Sequence, residues 1–137
     1  MWCKSGVYKL ERLRYNYDRL KEEGDDMTEE KIREVVDRFA EEAKRIYGTK
    51  LQEIILYGSC ARGDFENDSD IDILILLDSP LESISSERKR ILDVSDKLDL
   101  DYDVVIAPVV QNYALYQKYI PVSVFYQNVE REGVKIA

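Results

Sequence analysis

Leu56-Tyr57-Gly58-Ser59-Cys60-Ala61-Arg62-Gly63-Asp64, followed closely by Asp68-Ser69-Asp70-Ile71-Asp72-Ile73-Leu74, decides how this chain reads. Leu51 to Tyr57 enters the stretch as a strand, with Ile54-Ile55-Leu56 as its apolar run, and Ile71 to Leu77 leaves it as another. Such short continuous apolar runs, punctuated by Gly, Asp, Asn and Ser, fit strands buried on both faces. Gly58-Ser59 falls where the first strand stops. A residue without Cβ turns sharply there and lets backbone approach a ligand closely. A small hydroxyl beside open backbone N–H groups makes a cradle for phosphate oxygens, to which Arg62 adds a charge-assisted contact. Asp70 and Asp72 lie two apart at the head of the second strand, so both carboxylates point to one side. Two carboxylates that close repel unless a cation sits between them, and a hard, oxygen-liganded ion such as Mg²⁺, shared with substrate phosphates, fits best.

Working outward, Thr28 to Tyr47 carries Ile32, Val35, Val36, Phe39, Ala40, Ala43 and Ile46 at helical spacing. Thr28 suits the N-cap, Glu29 and Glu30 the first turn, and Gly48 the stop. Asp78-Ser79-Pro80 breaks the second strand. Ser83 to Leu98 reads as a helix with Ile84, Ile91, Leu92 and Leu98 inward, and Asp101 to Ala107 as a third strand closed by Pro108. Val109 to Tyr119 and Val122 to Glu132 read as helices separated by Pro121. The expected architecture is α/β: a small mixed sheet of three or more strands with helices packed on it. If the third strand lies beside the second, Asp103 faces the ion held by Asp70 and Asp72, completing a two-metal site; Asp101 competes with it for that place.

The first 26 residues stand apart as an N-terminal extension, and 27–137 form the domain. Met27-Thr28-Glu29-Glu30 resembles a natural beginning at a helix cap, and purine-rich codons for Lys21 to Gly24 would hold a ribosome-binding sequence upstream of Met27. The rival reading makes Tyr8 to Glu23 a further helix with Leu10, Leu13, Tyr17 and Leu20 as its stripe.

The chain has 137 residues, 45% of them hydrophobic and 35% charged, which suits one soluble domain. It contains no apolar run of transmembrane length and no signal-peptide pattern, so the expected location is cytoplasmic. Histidine is absent, which removes Ser-His and Cys-His catalysis and leaves carboxylates for acid–base and metal work. The two cysteines, Cys3 and Cys60, show no disulfide or zinc pattern, and Cys60 reads as a small buried hydrophobe. A net charge of −8 argues against direct DNA binding.

Each feature has a plainer reading alone: a Gly-Ser turn, solvated acids at strand ends, Arg62 paired with Asp64 or Glu66. Together, Gly58-Ser59, ten residues and Asp70-x-Asp72, set in Gly-Ser-x-Ala-Arg-Gly and Ser-Asp-Ile-Asp, resemble the DNA polymerase beta-like nucleotidyltransferase superfamily. The resemblance is to its minimal nucleotidyltransferase (MNT) family, in the branch of MntA-type antitoxins, and covers Thr28 to about Ile106 well. It implies transfer of AMP from ATP to an acceptor hydroxyl with two Mg²⁺ ions. Asp70, Asp72 and Asp103 would bind metal and act catalytically, and Gly58, Ser59, Arg62 and Ser69 would bind nucleotide. Larger members carry an acceptor-binding domain, for which this chain has no room. The resemblance therefore implies a borrowed surface, typically a helical HEPN-domain toxin whose tyrosine is adenylylated. A second copy of the chain is the other source. Two further readings are a binding module that masks its partner without catalysis, and a small-molecule (aminoglycoside-like) nucleotidyltransferase acting as a dimer. Tyr113, Tyr116, Tyr119 and Tyr126 divide between packing on the sheet and an interface.

Overall fold

The computed structural model describes residues 26–137, so the expected Tyr8–Glu23 helix and the upstream-start reading lie outside it. A four-stranded mixed sheet has the order β3-β2-β1-β4. β1 (Leu51–Tyr57) and β2 (Ile71–Leu77) run antiparallel with Tyr57 opposite Asp72; β2 and β3 (Ile106–Asn112) run parallel with Asp72 beside Ala107. β4 (Val134–Lys135), which the sequence pattern does not announce, pairs antiparallel with β1.

Alternation along β2 builds the two layers. Ile71, Ile73, Ile75 and Leu77 join one core with Val35, Phe39 and Ala43 of α1 (Glu29–Tyr47) and Ile91 and Leu98 of α3 (Ile84–Tyr102). Leu74 and Leu76 join a second core with Tyr116 of α4 (Tyr113–Tyr119) and Val129 of α5 (Val124–Glu132). Asp72 falls on this second face, ahead of Leu74, where the apolar layer gives way to the candidate site. α1 starts as expected: the Thr28 hydroxyl accepts from Lys31 N at 3.1 Å, and Gly48 ends it at φ 55°. Among the described residues, no helix is long and apolar enough to cross a membrane.

The third strand is displaced from its expected place. α3 continues to Tyr102, whose hydroxyl bonds Glu34 and accepts from Arg38 of α1, so the expected Asp101–Ala107 strand starts as helix. β3 then runs through Pro108 to Asn112, overriding the helix expected from Val109. Pro108 is tolerated because β3 is an edge strand, where a missing N–H costs no ladder bond. Asn112 accepts from Leu115 N at 2.7 Å and starts α4, and Ser123 caps α5 by accepting from Tyr126 N at 3.1 Å.

Candidate active site

Gly58 sits at φ 76°, ψ −159°, a region open in practice only to glycine. A Cβ there would lie 2.4 Å from Asp72 Oδ2. Backbone and carboxylate thus approach closely at this turn. Gly58 O accepts from Ala61 N at 3.0 Å and Arg62 N at 3.1 Å, closing the one-turn helix α2 (Ser59–Arg62). Gly63, at φ 93°, ends it by donating to Ser59 O at 2.9 Å. The first N–H groups of such a turn have no intrahelical acceptor.

Asp72 is half-buried and Asp70 exposed. Burial raises the Asp72 carboxyl above its ordinary range, Asp70 raises it further, and Arg62 opposes them. Tyr57, paired with Asp72 across the strands, is pushed up to about 12 by burial and by that same carboxylate. Cys60 is buried and donates to Asp70 O at 3.4 Å; burial pushes its thiol up to about 11. The thiol therefore pins the backbone ahead of Asp72 and is not a thiolate.

Arg62 donates to Asp64 at 3.2 Å, one of its two expected partners, and to Glu132 of α5 at 3.3 Å, where Glu66 was the other expectation. Ser69 is spent on a loop turn: its hydroxyl accepts from Glu66 N at 2.8 Å and its own N donates to Glu66 O at 3.1 Å. Asp103 does not head β3. It is the C-cap of α3, exposed and left-handed at φ 53°, ψ 56°, a conformation Asp adopts more readily than most residues. Among the described residues no three His, Cys, Asp or Glu side chains converge closely enough to hold a metal ion.

Sequence reasoning passed over Asp99. Its carbonyl accepts from Val104 N at 3.2 Å and its carboxylate from Ile106 N at 2.9 Å, so one residue holds both ends of the turn carrying Asp103. Burial raises the Asp99 carboxyl, the Ile106 bond opposes this, and Asp96 and Asp70 raise it further. The charge of Asp70 therefore reaches the α3–β3 turn.

Asp70 and Asp72 suit a divalent ion of the kind that one or two carboxylates share with substrate phosphates. Asp72 is raised by burial and by the charge of Asp70, a repulsion that a cation between them would relieve.

A nucleotidyltransferase domain family model matches residues 36–135. Among relatives, the Methanocaldococcus jannaschii protein adenylyltransferase candidate MJ0141 is 34% identical over 105 residues, covering 77% of this chain and 98% of the relative. A second candidate from that organism, MJ0604, is 39% identical over 107 residues, covering 78% and 96%. Among solved structures, a toxin–antitoxin with AMP-PNP is 24% identical, with TM-score 0.45, 72% of this chain and 70% of that chain covered. A mutant toxin–antitoxin MntA–HpeT is 22% identical, with TM-score 0.44 and the same coverage. At that overlap the two structures carry no inference about a partner. With the family match spanning most of the chain, and the Gly-Ser turn and paired aspartates in place within it, this chain belongs to the nucleotidyltransferase domain family.

Proposed function

We propose that this protein is a Mg²⁺-dependent protein adenylyltransferase that moves AMP from ATP to a hydroxyl, most simply a tyrosine, of a HEPN-type toxin partner, acting as its antitoxin. The observation that carries the reading is the packing of the Asp72 carboxylate against the Gly58 turn, with Asp70 two residues before it and close enough to raise its carboxyl. In the reaction, the acceptor oxygen forms a bond to the α-phosphorus of ATP. The bond from that phosphorus to the β-bridging oxygen breaks, and pyrophosphate leaves. The Gly58-Ser59 turn binds phosphate oxygens through backbone N–H groups and the Ser59 hydroxyl. Arg62, held to Asp64 and Glu132 here, exchanges a carboxylate for phosphate. Asp70 and Asp72 would hold the ions, and Asp103, at the exposed C-cap of α3, would join them and take the acceptor proton. When bound, the ions offset the charge of the triphosphate and of the carboxylates.

A protein acceptor is supported by the names of the two relatives. Val105 and Val109, at the free edge of the sheet beside the paired aspartates, are 55% and 36% exposed, an apolar flank that a partner would cover. The test incubates the protein with MgATP and a candidate HEPN-type partner protein, then reads the partner's intact mass and fragment spectra. AMP on one tyrosine, lost when that tyrosine is replaced by Phe, supports the reading. An unmodified partner that is bound and inhibited all the same contradicts it and leaves masking as the mechanism.

A further inference from the structure

A half-open cavity of about 160 Å³ adjoins the candidate site on its β1 side, away from Asp103. Tyr57 and Gly58 line it from the sheet, and Phe125, Asn128 and Val129 line it from α5. The Tyr57 and Phe125 rings meet edge to face, with centroids 5.4 Å apart at 79°, forming an aromatic corner over buried Val129. Phe125 stays 43% exposed although it belongs to this corner. Asn128 Oδ1 accepts from Arg131 at 2.6 Å, which fixes the amide plane and leaves that oxygen a second lone pair. The Arg62–Glu132 ion pair forms the rim nearest the phosphate turn.

We propose that this cavity is the nucleobase subsite and that it selects adenine, with Phe125 as the stacking surface and Asn128 as the residue that reads the base edge. This rests on the nucleotidyltransfer reading above. The volume suits one planar base and excludes a whole nucleoside triphosphate. From a base seated here, ribose and phosphates pass Gly58, which lines both the cavity and the carboxylate site, on the way to Asp72. The acceptor then approaches from the opposite, β3 side. A base stacks on an exposed aromatic face with little regard to its identity, so Phe125 supplies affinity. An asparagine amide pairs bidentately with adenine, offering one donor and one acceptor, so Asn128 supplies the preference.

The test measures binding of MgATP, MgCTP and Mg-tripolyphosphate by calorimetry to the full chain and to its Phe125→Ala and Asn128→Ala variants. Both residues are exposed on α5, and thermal melts confirm that each variant is folded. The proposal expects the wild type to favour ATP over CTP. Phe125→Ala should weaken ATP by roughly 10-fold or more, as loss of one base–aromatic stack does, with tripolyphosphate unchanged. Asn128→Ala should reduce the ATP-to-CTP ratio. Equal weakening of tripolyphosphate would place phosphates in the cavity and overturn the proposal. So would unchanged ATP binding alongside reduced labelling of a protein acceptor, which would place the acceptor there. If the wild type transfers AMP while both variants bind ATP normally, the subsite is wrong and the function stands; if the wild type binds no nucleotide, both fall.

Discussion

Replacing Gly58 by Ala should damage both the fold and the chemistry, because two separate costs meet at that position. The first is backbone: φ 76°, ψ −159° is a region that residues with a Cβ occupy at a cost of about 1–3 kcal/mol. The second is contact: the new Cβ would lie 2.4 Å from Asp72 Oδ2 and 3.3 Å from its Cγ. Restoring ordinary van der Waals separation moves the carboxylate by about 1 Å, a displacement that costs on the order of 100-fold in rate. For a domain of this size, about 2 kcal/mol corresponds to a fall in Tm of roughly 6–10 °C. Thermal unfolding reads both costs, and AMP transfer reads the displacement of the carboxylate. The double variant Gly58→Ala/Asp72→Ala separates them: removing the carboxylate should recover the contact cost and leave the backbone cost. A Gly58→Ala protein with Tm within about 2 °C of wild type and undiminished transfer would refute the reasoning, since it would mean that neither cost is present.

Three further outcomes follow from the structure. Buried Glu87 is pushed up by burial, but bonds from Arg90 at 3.0 Å, Lys50 at 3.1 Å and Ser79 at 3.2 Å outweigh this and hold it below its ordinary 4.5. Its contribution is therefore present above that value and lost as pH falls through the lower folded one. Glu87→Gln should cost about 1–3 kcal/mol at pH 7 in urea unfolding, and the difference from wild type should shrink below pH 4.5. Asp99→Ala, which removes the acceptor for Ile106 N, should cost about 0.5–1.5 kcal/mol in the same assay. Asp99→Asn keeps an acceptor and relieves the repulsion with Asp70, so it should lose less; equal losses in the two would contradict this account of the turn. The Cys60 thiol, pushed up to about 11, should resist iodoacetamide at pH 8 in the native protein and react in urea, read by mass spectrometry of the peptide.

The sheet's centre was legible because its signals are local. β1 and β2 are unbroken apolar runs bounded by turn residues, and they occupy the expected spans Leu51–Tyr57 and Ile71–Leu77. Gly58, too, was readable as the sharp turn that ends β1, where φ 76° calls for glycine. The α3–β3 junction was not. Asp101-Tyr102-Asp103 looks like a strand head, but Tyr102 is drawn into helix by contacts with α1, which lie 64 and 68 residues away in sequence. Pro108 looks like a strand terminator, and only the position of β3 at the sheet edge removes that penalty. Asp99 hides among Asp93, Asp96 and Asp101 as one more acid on a solvated helix. The Phe125–Asn128 cavity depends on α5 folding back over Gly58, which links Arg62 to Glu132 across 70 residues. No local pattern carries that.

The central claim is that Asp70 and Asp72 direct transfer of the α-phosphoryl group of ATP, and one labelling measurement tests it most directly. Wild type and the Asp70→Asn/Asp72→Asn variant are each incubated with Mg²⁺, the acceptor protein, and ATP labelled at either the α- or the γ-phosphate. The account predicts α-label on the acceptor with wild type alone, γ-label released as pyrophosphate, and nothing transferred by the variant. Retained γ-label, or equal α-label from the variant, would contradict it.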